Sequence, residues 1–223
     1  MMIATMLFAI ALDGYEPTAS YKKVNVEGFT VRISAKLSAD AKTLTPALDL
    51  LKSELKEVVE LVPLRQVNVL RKIPIWMELN NPDFPCACYH PDVGWLKEHN
   101  YNPEKENGVE ISNARTFVEW VNLNQPLMVL HELAHGYHDL EFGYDDAYIE
   151  ACYKNAMANH LYDLVAHNRG GTRKGYASTN PMEYFAELSE AWFNGNDYFP
   201  FNRSELESHD PAGYALMKRV WSK

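Results

Sequence analysis

Two histidines four residues apart, His131 and His135, enclose Glu132 in the segment Pro126-Leu-Met-Val-Leu-His-Glu-Leu-Ala-His-Gly-Tyr-His138. On a helix that spacing puts both imidazoles on one face, about one turn apart, within reach of a single tetrahedral Zn²⁺. Glu132 is rotated about 100° around the helix axis from His131. It is kept from sharing the histidines' ligand position, but it reaches a water at the open one. Zinc lowers the pKa of such a water, and a glutamate so placed takes its proton as general base. The segment has the pattern of a helix: Pro126 opens it, and Leu127, Leu130, Ala134 and Tyr137 mark an inward stripe. The plainer reading is a chance match, two satisfied histidines flanking a core helix, and the helical context weighs against it.

A catalytic zinc with an open fourth position needs a third protein ligand. The longer pattern H-E-x-x-H-x-x-G-x-x-H is excluded, because His138 and Glu141 stand where its glycine and third histidine belong. Downstream, Asn180-Pro-Met-Glu-Tyr-Phe-Ala-Glu187 offers Glu183 and Glu187 four residues apart on a second helix. One can bind the metal while the other accepts a hydrogen bond from the far nitrogen of a ligand histidine. Against this, Asn180 has the features of an N-cap, Pro181 of the first helical residue and Glu183 of the third-position partner in a capping box. Glu187 is equally readable as a solvated side chain. Phe185, Leu188 and Trp192 mark the buried stripe with both glutamates beside it, so the residues leave ligand and cap open. Cys88 is the rival ligand, because a cysteine upstream of the motif is the peptide-deformylase arrangement. Its surroundings, Cys86-Ala-Cys88-Tyr-His90-Pro91, lack that family's motif. His90 and His138 receive no role, and an exposed position is the expectation for His138.

The elements that must carry these residues are legible from patterning. Val24 to Ser34 forms a hairpin around Gly28, and Thr45-Pro46 opens a helix striped by Leu48, Leu51, Leu55, Val58 and Val62. Ile73 to Leu79 is a strand ending at Asn80-Asn81-Pro82, and Gly108 to Asn113 is another. Helical patterns follow over Arg115–Val121, Pro126–Leu140, Asp146–His160, Pro181–Asn194 and Pro211–Trp221. The layout is α+β, with a small mixed sheet in the N-terminal half and a helical C-terminal half. Hydrophobic residues make up 47% and charged residues 23% of the 223, which suits one globular domain. A formal charge of −9 without a basic cluster excludes a nucleic-acid partner and a membrane-surface patch. Residues 1–20 read as a leader: Ile3 to Leu12 is apolar, ends near Ala9-Ile10-Ala11, and is too short to span a bilayer. Secretion or a periplasmic location is therefore expected for a catalytic domain over 21–223. Cys86, Cys88 and Cys152 are compatible with pairing or with free thiols.

Tyr176, in Gly-Tyr-Ala-Ser-Thr-Asn, stands seven residues before Glu183 in Glu-Tyr-Phe-Ala-Glu187. Here the chain resembles the C-terminal catalytic region of anthrax lethal factor, a gluzincin with the same tyrosine and two glutamates at the same spacings. More closely, Val26 to Trp221 is similar to a family of small bacterial secreted metallopeptidases. The shared segments are Lys72-Ile-Pro-Ile-Trp76, Cys88-Tyr-His-Pro91, Leu130-His-Glu-Leu-Ala-His135 and Thr179-Asn-Pro-Met-Glu-Tyr-Phe-Ala-Glu187. The resemblance implies a zincin-like fold and zinc-dependent hydrolysis of a peptide or protein substrate. It implies His131, His135 and Glu183 as Zn²⁺ ligands and Glu132 as the base that activates water. It further implies Glu187 as the carboxylate that orients a ligand histidine and Tyr176 as a hydroxyl donor to the oxyanion. The chain is one short domain without delivery or docking modules, so toxin action and kinase-directed specificity are not implied. In zincins an edge strand pairs with extended substrate, and Val109 to Asn113 is the expected one. Two other functions compete: a metal-holding binding protein that cleaves nothing, and a zinc hydrolase of other amides or esters. The presence of Glu132 favours an enzyme.

Overall fold

The structure is a computed structural model, and it describes residues 14–81, 86–123 and 125–222. The apolar Ile3–Leu12 stretch and Pro82 lie outside the described residues. Strands β1 (Lys22–Val26) and β2 (Phe29–Ile33) form the expected hairpin. Its turn residues Glu27 and Gly28 both have positive φ, 50° and 90°, which matches the twist of the strands and suits glycine. Ser34 caps α1 (Ala35–Ala39), and Asp40 caps α2 (Ala41–Leu61). Helix α2 thus begins five residues before the Thr45–Pro46 start that the sequence suggests. The Asp40 carboxylate accepts the Thr43 N–H at 3.2 Å, and Pro46 sits early enough in the helix to forfeit a single backbone bond.

Helix α3 (Leu64–Leu70), β3 (Ile75–Met77), β4 (Ala87–His90), α4 (Val93–Glu98), β5 (Gly108–Ile111) and α5 (Ala114–Leu123) complete the N-terminal half. Then come α6 (Met128–Phe142), α7 (Ala147–Ala158), β6 (Val165–Ala166), β7 (Thr172–Arg173), α8 (Pro181–Trp192), α9 (Arg203–His209) and α10 (Pro211–Trp221). The α+β layout is as expected, although the β6–β7 hairpin and helices α1, α3, α4 and α9 carry patterns too short to stand out. No helix among the described residues is long and apolar enough to cross a membrane.

The main sheet has the order β1-β2-β3-β5-β4. Strands β2, β3 and β5 are parallel, with β1 and β4 antiparallel at the two edges. Strand β5 is therefore interior, which corrects the expectation that Val109 to Asn113 forms the edge. All four residues of β5 are buried, as a strand with neighbours on both sides requires. The edge beside the helical half is β4, whose Ala-Cys-Tyr-His is too short to show a period-2 pattern.

One face of the sheet bears Val31, Ile75, Val109 and Tyr89 in one row and Ile33, Met77 and Ile111 in the next, and it packs against α6. The other face carries Arg32, Trp76, Glu110 and Cys88 across the strands. Glu110 is fully buried there and accepts from Lys105 Nζ at 2.9 Å and Asn81 Nδ2 at 3.0 Å, with His90 Nε2 at 2.9 Å. Burial alone would raise the Glu110 pKa, but the His90 hydrogen bond and the Lys105 charge outweigh it and hold it at about 2. His90 is thus committed to the sheet. Cys86, Cys88 and Cys152 are free thiols. Among the described residues, most buried apolar side chains form one cluster reaching from Phe29 to Trp221, with Trp76 and Leu96 buried outside it.

Glu54, on the buried face of α2, is pushed up to about pKa 8 by burial, with Glu57 and Glu190 adding to the effect. An unfolded glutamate ionises near 4.5, so the folded state holds an extra proton between those values and stability falls as pH rises through them. Glu54→Gln is expected to gain on the parent from pH 5 to 8 and to keep a constant margin above, at least about 10 °C in Tm by calorimetry. A margin independent of pH would contradict this assignment.

Candidate metal centre

Helix α6 is buried at every residue from Met128 to His138 except Glu132. An unpaired buried polar group costs about 1–3 kcal/mol, and His138 on this helix carries that cost, since neither of its ring nitrogens has a hydrogen-bond partner among the described residues. It starts at Met128, two residues after the Pro126 that the sequence nominates. Its depth is set at Gly136, where a Cβ would fall 2.5 Å from Ile73 Cδ1 and 2.9 Å from a Tyr89 ring carbon. A larger residue there would have to push aside the Ile73 side chain and the Tyr89 ring, so the residue beside His135 lies directly under β4.

Helix α8 opens as its sequence suggests, with the Asn180 side chain accepting the Glu183 N–H at 2.8 Å and Pro181 in the first turn. The carboxylate of Glu183 does something else. Its Oε2 lies 3.1 Å from His131 Nε2 and 3.2 Å from His135 Nε2. Cap and histidine partner are therefore compatible, because the backbone serves one and the side chain the other. The two imidazole rings lie 4.8 Å apart, 79° from coplanar. One nitrogen from each histidine and one Glu183 oxygen lie within 4.8 Å of one another.

The far nitrogen of His131 meets Glu190. Nδ1 lies 2.8 Å from Glu190 Oε2, whereas Glu187 Oε1 is 3.9 Å away. The geometry therefore gives Glu190 the contact that the resemblance implies for Glu187. Gln125 Nε2 donates to both Glu190 oxygens, at 3.1 and 3.3 Å, and fixes that carboxylate against the ring. Glu187 is just as buried, and its Oε2 has no hydrogen-bond partner among the described residues. The spacing 183, 187, 190 was the available signal, since it puts three carboxylates on one helical face.

The charges follow from this packing. Burial alone would lower the His131 pKa, but Glu190 and the hydrogen bonds with Glu183 and Glu190 hold it well above its usual value. Glu183 is the mirror case: burial would raise it, and the hydrogen bonds from His131 and His135 keep it well below the carboxylate range. Burial raises Glu190 to about 7 against the pull of His131, and burial with Glu190 nearby raises Glu187. Positive charge is thus favoured between these groups. Two imidazole nitrogens and a carboxylate oxygen that converge in this way, with Glu190 against the far side of His131, could hold a divalent metal ion.

The other candidates sort clearly. Cys88 Sγ lies 3.5 Å from His90 Nε2 and 3.9 Å from Ser112 Oγ, and it is not among the groups whose ligand atoms converge with the helix histidines. Burial pushes its thiol up. His138 is fully buried, contrary to the expectation of exposure, and packs against Tyr144 and Phe185 with centroids 5.0 and 4.8 Å away. Burial, reinforced by His135, lowers it to about pKa 4, so it is a neutral core side chain. Tyr176 is half-exposed in the turn before α8, and its hydroxyl donates to Glu183 Oε1 at 3.3 Å. Burial and then the Glu183 charge push its pKa up to about 12.

These groups open onto a cleft of about 600 Å³ lined by His131, Glu132, His135, Tyr176 and Glu183. Residues 86–89 at the β4 edge, Trp120 of α5, and Arg169, Arg173 and Tyr198 also line it. No family model matches the chain, and no curated protein does so. Among solved structures it is similar to the Pro-Pro endopeptidase PPEP-2 from Paenibacillus alvei, at 17% identity and a TM-score of 0.43, covering 79% of this chain and 91% of that one.

The Glu190 contact predicts a graded response. Divalent-metal affinity, read by chelator competition, is expected to fall about 10–100-fold in Glu190→Gln and by less in Glu187→Gln. The reverse order would return the orienting role to Glu187.

Proposed function

We propose that this protein is a zinc-dependent peptidase, with His131, His135 and Glu183 holding Zn²⁺. The observation that carries the reading is the approach of Glu183 Oε2 to the Nε2 atoms of both motif histidines, with Glu132 beside them on the cleft wall. Bound by these residues, Zn²⁺ supplies Lewis-acid polarisation and a lowered pKa for an attacking water.

The remaining steps belong to the chain. Glu132 is the one residue between Met128 and His138 that is not buried. It takes a proton from the attacking water and delivers it to the leaving amine. Tyr176 keeps its proton at neutral pH and donates a hydrogen bond to the carbonyl oxygen as negative charge develops there. Glu190 fixes the His131 ring so that Nε2 faces Glu183. Extended substrate pairs with β4, the sheet edge that lines the cleft, in place of the interior β5. The position of Glu132 supports an enzyme over a silent binding protein, since a scaffold has no use for a base in the cleft. Screening peptides beside small amides and esters separates a peptidase from another zinc hydrolase.

Replacing Glu132 with Gln is expected to cut peptide turnover at least about 10²-fold at unchanged zinc content. Parent-like cleavage by that variant would sink the mechanism. Glu183→Gln should purify with zinc well below the near-equimolar content of the parent, by elemental analysis, and parent-like retention would remove Glu183 as a ligand.

A further inference from the structure

We infer that Tyr144 is a second hydroxyl donor to the developing oxyanion, paired with Tyr176 across the candidate metal centre. The role rests on the peptidase reading for its reaction, but the contact itself is measurable by binding alone.

The turn after α6 brings Tyr144 back over the helix. Gly143 ends α6 at a φ of 76°, a value that suits glycine, and its N–H closes on the His138 and Asp139 carbonyls, each at 3.0 Å. The returning chain lays the Tyr144 ring edge-on to His138, with centroids 5.0 Å apart and planes 82° apart. His138 is fully buried, so one side of the tyrosine is seated on the core. The hydroxyl ends at the His135 carbonyl, to which it donates at 3.3 Å.

That hydrogen bond is one the hydroxyl can surrender. On an α-helix the His135 carbonyl also serves the N–H four residues on, at Asp139, so the tyrosine is its second donor. The bond is also long, since O–H···O contacts usually fall at about 2.7–2.8 Å. An oxyanion is the better acceptor, because hydrogen bonds to ionised groups are shorter and roughly twice as strong. A phenol keeps its proton at neutral pH and so has one to give. The exchange is favourable only once negative charge has formed, and an interaction made in the transition state alone accelerates the step.

The hydroxyl stands where that charge develops. Tyr144 and Tyr176 line one cleft together with His131, Glu132, His135 and Glu183. Tyr176 is on the His131 side, with ring centroids 6.3 Å apart, and Tyr144 is on the His135 side. The charges of Glu132 and Glu183 act on both hydroxyls. One glutamate is the base of the proposed reaction and the other its metal ligand. A carbonyl under attack between them therefore has a tyrosine on either hand.

The test compares Tyr144→Phe with the parent and with Tyr176→Phe. The phenylalanine keeps the ring against His138, so a parent-like Tm and zinc content are expected. On a cleaved quenched peptide, kcat is expected to fall about 10²-fold in Tyr144→Phe with KM nearly unchanged. The second readout needs no turnover. Phosphinic tripeptides, whose tetrahedral phosphorus carries a charged oxygen, are titrated by calorimetry into zinc-loaded parent and variant. Matched peptides are titrated into the Glu132→Gln protein with and without the Tyr144 change. Phosphinic affinity should fall at least about 10-fold in Tyr144→Phe, while peptide affinity stays level. That pattern without any peptide cleavage would uphold the contact and overturn the peptidase reading. Cleavage with parent-like kcat and phosphinic affinity in Tyr144→Phe would overturn the inference alone. So would an equal loss for peptide and phosphinic ligand, which marks ground-state binding, or a loss of zinc or Tm, which marks support of His135. A parent that neither cleaves peptides nor binds phosphinic tripeptides would overturn both.

Discussion

Helices α6 and α8 press two imidazoles against a row of carboxylates in a nearly dry seam, and the rest of the fold keeps that contact in register. Burying such groups unpaired costs several kcal/mol each, so His131, Glu183 and Glu190 are paired, while Glu187, which has an unpartnered oxygen, is held towards its neutral form. His131 illustrates the constraint, with Glu183 on one nitrogen and Glu190 on the other. The rotation of α8 follows from Asn180, which caps its first turn. The depth of α6 follows from Gly136, which admits the helix against Ile73 and Tyr89. The lateral position of Glu190 follows from Gln125 at the entrance to α6. Three modest local devices thus converge on one arrangement.

The sheet contributes in a less direct way. Its helix-facing side is apolar and flat enough for α6 to lie along it, while its far side is a charged layer around Glu110. That layer keeps His90 and Cys88 engaged with the sheet, so the histidines of α6 have no competing partners from that direction. It also stiffens β4 from behind, since His90 belongs to β4 and bonds β5 through Glu110. An unpaired edge braced in this way would suit a strand added from another chain.

How much of this was legible in the sequence depended on whether the relevant spacing lay within one element. The histidine pair was readable because a separation of four residues has one meaning on a helix. The β1–β2 hairpin was readable from Gly28 between β-branched runs, and α10 from Pro211 at its start. The start of α2 was not, because Pro46 drew the boundary to itself while Asp40, the residue that caps the helix, looked ordinary. The identity of the edge strand was hidden for a different reason. It depends on the pairing of β4 with β5, a contact between elements that neither strand announces. His138 and Glu190 were missed likewise, since burial on the far side of a helix is decided by what packs there.

The close approach at Gly136 has a consequence for how such a molecule changes over time. Added bulk at position 136 must displace the Ile73 side chain or the Tyr89 ring, so volume there is coupled to the placement of the neighbouring His135. The β6–β7 hairpin is anchored instead through backbone bonds to 197–199, which a change of its exposed side chains leaves in place. Side-chain bulk is therefore restricted beside the histidine pair and tolerated on the hairpin.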